Sequence, residues 1–230
     1  MSQRLILPFV RSMMLCGYKV AEYREYWGYP HYGIDISTIQ GGAGKDPAVY
    51  ASGTGRVLAA GKDAKLGYGL AVLYPGAVNH RTGKAADLTA RYMHLREIYV
   101  KAGEEVAPGD KLGLEGKEGT GAYHLHLELD TDTREEYARW SPQVSSGLTF
   151  WVKGVDSTVN PSDYLHTGPG QSLADPTYNP AWLNPGDFAI PPLPKGTVPK
   201  SEYDAMKAKY ETLAAAVREL ADSITRETEE

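Results

Sequence analysis

Cysteine is nearly absent from this chain: Cys16 is the single one in 230 residues. No internal disulfide can form, no cysteine-based metal site is expected, and Cys16 reads as a small buried residue rather than a nucleophile. Long apolar runs are missing too. Nothing approaches the roughly 20 residues of a membrane-spanning helix, so no membrane insertion is expected. A secretory leader is not expected either. The apolar stretch from Leu5 to Val10 is short, contains Pro8 and is followed by Arg11, and no small-residue cleavage site comes after it. Met14-Leu15-Cys16 lacks the small residue that a lipoprotein signal places before its cysteine. Excess charge is absent from the body of the chain: residues 1–166 hold 18 Lys and Arg against 19 Asp and Glu, whereas residues 167–230 hold 6 against 10. A nearly neutral body argues against capture of nucleic acid or of an anionic wall by charge alone. His-Glu-x-x-His does not occur, which excludes the helix-borne glutamate base of that metalloprotease design.

Histidine is scarce as well, with six in the chain, and four of them fall into one pattern. His31-x-x-x-Asp35 is followed by His94, in Arg91-Tyr92-Met93-His94-Leu95, and then by His124-x-His126. His80 and His166 are left over. In His124-Leu125-His126-Leu127-Glu128-Leu129 polar and apolar residues alternate strictly, the period of a half-buried strand. Both imidazoles and Glu128 then share one face and three leucines the other. Residues 31–36 alternate likewise, with Tyr32, Ile34 and Ile36 opposite His31, Gly33 and Asp35. Gly33 leaves room between His31 and Asp35, while Gly28, Pro30 and Gly33 argue against a helix there. Imidazole and carboxylate are the side chains that hold a hydrolytic zinc, with three protein ligands and an open position. Four histidines and an aspartate exceed that need by two, and hydrolysis also requires a proton acceptor and an oxyanion stabiliser. Taken one at a time, these patterns have plainer readings: spaced polar residues arise by chance, and Glu128 serves a solvated strand face as readily as it supports a metal ligand.

In this order the residues resemble the lysostaphin/LytM-type zinc peptidases, the M23 metallopeptidase family. Tyr29-Pro30-His31-Tyr32-Gly33-Ile34-Asp35-Ile36 is similar to the family's first metal motif. Val49 to Val57 and Gly67-Tyr68-Gly69 are similar to its next strand and turn elements, and Tyr92-Met93-His94-Leu95 to the segment bearing a catalytic histidine. Gly103 to Gly121 resembles the hairpin leading into His-Leu-His, and Asn160-Pro161-Ser162-Asp163-Tyr164-Leu165 the closing motif. The resemblance implies a mainly β domain, an antiparallel sheet groove, over residues 1–166. It implies His31, Asp35 and His126 as ligands of one Zn2+, with His94 and His124 as the catalytic pair that activates water and stabilises the tetrahedral intermediate. Two segments depart from the pattern: residues 75–91 make a long loop before His94, and residues 131–159 form an insertion carrying Trp140, Phe150 and Trp151.

Eight of the fifteen prolines lie in residues 167–200, which reads as a semi-rigid, extended linker. Docking of Trp182 and Phe188 onto the body is the alternative. A helix is expected over 201–230, opened by Ser201 and Asp204 in a capping-box-like start. Tyr203, Met206, Tyr210, Leu213, Val217, Leu220 and Ile224 recur at alternating steps of three and four, a coiled-coil-like seam that predicts a homo-oligomer. The function implied by the resemblance is cleavage of a peptide bond in bacterial peptidoglycan. Without a leader, the expected setting is a phage lysin made in the cytoplasm and acting at the cell wall, on release or from the virion. The rival is a non-catalytic scaffold or virion structural component of the same fold, and such members lose ligands or catalytic histidines that are all present here.

Overall fold

A computed structural model describes residues 2–38, 47–63, 67–134, 156–174 and 180–194, with Ala208, Thr212, Ala215 and Ala216 each assigned to helix. The 201–230 seam as a whole, and Trp140, Phe150 and Trp151, lie outside the described residues.

The strands in chain order are β1 (Leu5–Ile6), β2 (Arg11–Cys16), β3 (Ile34–Ser37), β4 (Ala48–Tyr50), β5 (Gly55–Asp63), β6 (Gly67–Val78), β7 (Ala85–Leu95), β8 (Glu97–Ile98), β9 (Glu105–Val106), β10 (Lys111–Leu114), β11 (Leu125–Asp130), β12 (Thr158–Val159), β13 (Leu165–His166) and β14 (Ser172–Leu173). One short helix, α1 (Ala21–Trp27), follows β2. The main sheet runs β14-β2-β3-β11-β7-β6-β5-β9, with β12 also paired to β11. Its pairings are antiparallel except β14 with β2. A smaller sheet, β4-β10-β8, and the parallel pair β1-β13 complete the fold. The expected antiparallel β architecture is therefore what the described residues form. Among them, no helix is long and apolar enough to cross a membrane.

Alternation explains the layering. Leu125, Leu127 and Leu129 of β11 are buried with Leu88, Ala90 and Tyr92 of β7, Leu70, Val72 and Tyr74 of β6, and Ile34 and Ile36 of β3. Each fully buried leucine of this kind contributes about 1.5–3 kcal/mol. Val49, Leu112, Leu5, Leu7, Phe9 and Leu165 belong to the same core. Pairing of His126 with Asp35 on one side and Met93 on the other puts the polar residues of β11 on the opposite face. Slipping by one residue would exchange the two faces, so burial of the leucines also fixes where the histidines point.

Residues 75–91 are not a long loop. They are the ends of β6 and β7 joined by a tight turn, with Ala77 opposite Ala86 and Val78 opposite Ala85. Asn79 Oδ1 accepts from the backbone N–H groups of Arg81 and Thr82, both at 3.0 Å, and Gly83 takes φ +71°. That side-chain turn and the left-handed glycine close the hairpin. The described part of 167–194 docks instead of extending freely. Leu173 pairs with Ser12, Ile190 is buried, Phe188 packs against the core and Trp182 meets Tyr23 of α1 edge to face. Prolines cannot donate, but their carbonyls accept: Thr167 N–H bonds Pro191 O at 2.9 Å.

Candidate functional site

One cleft of about 790 Å³ opens over the polar face of β11 and is lined by His31, Asp35, His94, His124 and His126. All five residues picked from the sequence meet there. His80 and His166 face each other elsewhere, ring centres 5.4 Å apart, and neither lines this cleft.

Three donor atoms converge at its floor. Asp35 Oδ1 lies 3.1 Å from His31 Nε2 and 2.8 Å from His126 Nδ1, and the two ring nitrogens are 3.0 Å apart. Donors around a tetrahedral zinc with bonds near 2.0–2.2 Å sit about 3.3–3.5 Å from each other. An expansion of a few tenths of an ångström would seat an ion, so this donor set fits one. Electrostatics agree. Burial acts to raise the Asp35 carboxyl, but His31, His124 and the hydrogen bond from His126 outweigh it and hold it well below the usual range. Burial likewise acts to lower His126, yet its hydrogen bonds to Asp35 and Glu128 push it up to about 10. A proton thus occupies the centre where a cation would compensate the same carboxylates.

Each imidazole is anchored through one nitrogen. His31 Nδ1 donates to Gly17 O at 2.7 Å, His94 Nδ1 to Glu118 O at 2.8 Å and His124 Nδ1 to Ala122 O at 3.0 Å. A carbonyl can only accept, so Nδ1 carries the hydrogen in all three and the neutral ring keeps its lone pair on Nε2. His126 is held the other way round, with Nε2 donating to Glu128 Oε1 at 3.2 Å and Nδ1 facing Asp35. His124 Nε2 comes within 3.7 Å of Asp35 Oδ1, and the His94 and His124 rings are 4.9 Å apart. Burial, then His124 and His126, push His94 down to about 4, so it is neutral at pH 7. His94 also takes φ +63°, a backbone conformation uncommon for a residue with a side chain. Gly116 permits it: a Cβ there would come within 2.5 Å of His94 O and Arg96 N.

Two corrections concern residues near this centre. Gly33 is required less for room around an ion than because a Cβ would collide with Leu127 O and come 2.9 Å from His126 Nε2. Glu128 is not a solvated strand residue; it is fully buried beneath His126. Beyond it on the same face, Arg91 pairs with Asp130 at 2.9 Å, both buried. Sequence reasoning also set Cys16 apart from any metal site. Here it lines the cleft, and one donor atom from each of Cys16, His31 and Asp35 lies within 4.8 Å of the others. Tyr23, Trp27 and Trp182 add an aromatic wall, of which the sequence had marked Trp182 alone, as a residue that could dock onto the body. Tyr23 stacks against His31 with ring centres 4.5 Å apart.

Residues 29–137 match the model of peptidase family M23. All five site residues fall inside that stretch, whereas Cys16, Tyr23 and Trp182 fall outside it. The fold is similar to that in the structure of the SpoIIQ–SpoIIIAH pore-forming complex, with 21% identity, a TM-score of 0.50, and coverage of 72% of this chain and 92% of that one. A zinc-containing peptidase from Vibrio cholerae is similar at 26% identity over 55% of this chain and 37% of that one, TM-score 0.42. The catalytic domain of the antimicrobial peptidase lysostaphin from Staphylococcus simulans is similar at 25% identity over 49% of this chain and 77% of that one, TM-score 0.37.

Proposed function

We propose that this chain is an M23-type zinc endopeptidase that hydrolyses a peptide bond of bacterial peptidoglycan. The observation that carries the reading is the gathering of four imidazoles around Asp35, three of them pinned through Nδ1 to backbone carbonyls and His126 through Nε2 to Glu128. The match of residues 29–137 to the M23 model supports it. His31, Asp35 and His126 would hold the zinc, which supplies Lewis-acid polarisation of the scissile carbonyl and a nucleophilic water at neutral pH. His94 and His124, anchored through Nδ1, have Nε2 available for proton transfer. One takes at Nε2 the proton that the attacking water loses; the other stabilises the developing oxyanion when it carries a proton on Nε2 as well. Tyr23, Trp27 and Trp182, together with Gly119 to Ala122, line the space for the substrate peptide.

The test is metal analysis of the purified protein, followed by incubation with walls of differing cross-bridge chemistry and mass spectrometry of the fragments. His124→Ala is expected to retain zinc while hydrolysis drops on the order of 10²–10⁴-fold. His126→Ala is expected to lose both. A protein that binds no zinc and releases no fragments from any wall type sinks the reading. Action as a phage lysin and self-association through residues 201–230 belong to the same proposal, the latter on the heptad pattern alone; sedimentation of the intact chain reads it. The second reading, a non-catalytic component of a protein assembly, draws on the fold similarity to the pore-forming complex.

A further inference from the structure

We propose that Cys16 is a fourth protein ligand of the metal held by His31, Asp35 and His126, an inference that rests on the zinc-site reading above. The first ground is strand geometry. Met14 of β2 lies opposite the core residue Ile36 of β3, and simple alternation would put Cys16 on the same face. A register irregularity between Met14 and Cys16 instead sets Cys16 opposite Asp35, on the face of the cleft. A bulge beside a functional site re-aims one side chain in this way.

The second ground is the corner that follows. Gly17 O holds His31 Nδ1, and Gly17 N–H bonds Trp182 O at 2.8 Å. A Cβ on Gly17 would overlap the Asp187 carboxylate and approach Asn184 Nδ2 at 3.1 Å. Asn184 in turn donates to Tyr18 O at 2.7 Å. The Cys16–Gly17 corner is therefore pinned to the same imidazole that would bind the ion.

The third ground is reach. Sulfur, His31 nitrogen and Asp35 oxygen lie within 4.8 Å of one another, and donors on one zinc with bonds of 2.0–2.3 Å sit roughly 3.3–3.8 Å apart. Rotation of Cys16 about χ1 moves Sγ by about 2–3 Å. Among the described residues, the hydrogen bond the sulfur would give up is a weak one, 3.7 Å to Gly17 O. Cys16 would bind as the thiolate, its proton passing to solvent. It would then fill the position that a catalytic zinc keeps open for water, so hydrolysis would require the sulfur to give that position up.

Cobalt substitution tests this without relying on a variant, because Cys16 is the only cysteine in the chain. The Co2+-loaded full chain should show a near-ultraviolet thiolate-to-cobalt charge-transfer band besides visible ligand-field absorption. Cys16→Ser should lose the first and keep the second. Visible absorption with no charge-transfer band in the wild type overturns the assignment of Cys16 and leaves the three-ligand site standing. No cobalt absorption at all overturns the metal site and Cys16 together.

Discussion

A side chain that acts through His126 would set how well this centre holds a cation. Glu128 Oε1 accepts from His126 Nε2, while Oε2 has no hydrogen-bond partner among the described residues and the side chain is fully buried. Removing a carboxylate from water costs several kcal/mol unless a charge compensates it, and His126 is the group beside it to do so. Glu128→Gln keeps the shape and the acceptor but removes the charge. Zinc affinity should fall about 10–100-fold, read by competition with a chelator, while the circular dichroism of the metal-free protein stays unchanged. Equal affinity would reduce Glu128 to packing. The five candidate residues were legible in the sequence because their chemistry resides in side chains at telling spacings. Gly17, Glu118 and Ala122 were not, since they act through carbonyls that every residue possesses. Cys16 was hidden because a bulge, invisible in alternation, turns it toward Asp35.

Strands β3 and β11 bring the two halves of the centre together, and their close approach depends on the lack of a side chain at Gly33. Leu127 O and His126 Nε2 occupy the space that a Cβ would need. Gly33→Ala forces the strands apart or tilts the His126 ring. A loss of roughly 1–3 kcal/mol is expected in denaturant unfolding, together with weaker zinc binding. Loss of stability with unaltered affinity would show that the strand ends yield before the ring does. The strand faces of β3 and β11 were readable because polar and apolar residues alternate along them, although β11 is buried on both faces and residues 31–33 precede β3. The hairpin over 75–91 was misread as loop, since its turn depends on Asn79 capping its own backbone. Residues 180–194 carry no period at all. Their docking comes from Trp182, Phe188 and Ile190 finding apolar partners far away in sequence.

At the scale of the whole molecule, the small sheet and the main sheet meet through a buried acid. Glu115 follows β10, is fully buried, and accepts from Ser37 Oγ of β3 at 2.5 Å. Burial raises it from 4.5 to about 6, against the opposing pull of Ser37, Thr38 and Arg96. The sign follows from proton uptake. Between pH 4.5 and 6 the folded chain binds more protons at this site than the unfolded chain, so rising pH through that window removes stability. The shift corresponds to about 2 kcal/mol, fully lost above pH 6 and regained below 4.5. Glu115→Gln cannot titrate, so its unfolding free energy should change less between pH 4.5 and 7 than that of the wild type, by about the same 2 kcal/mol. Comparing the two pH dependences removes any fixed cost of the amide beside Ser37, because that cost is present at both pH values. Parallel pH dependences would mean that Glu115 titrates alike in the folded and unfolded chains, with Ser37, Thr38 and Arg96 balancing its burial completely.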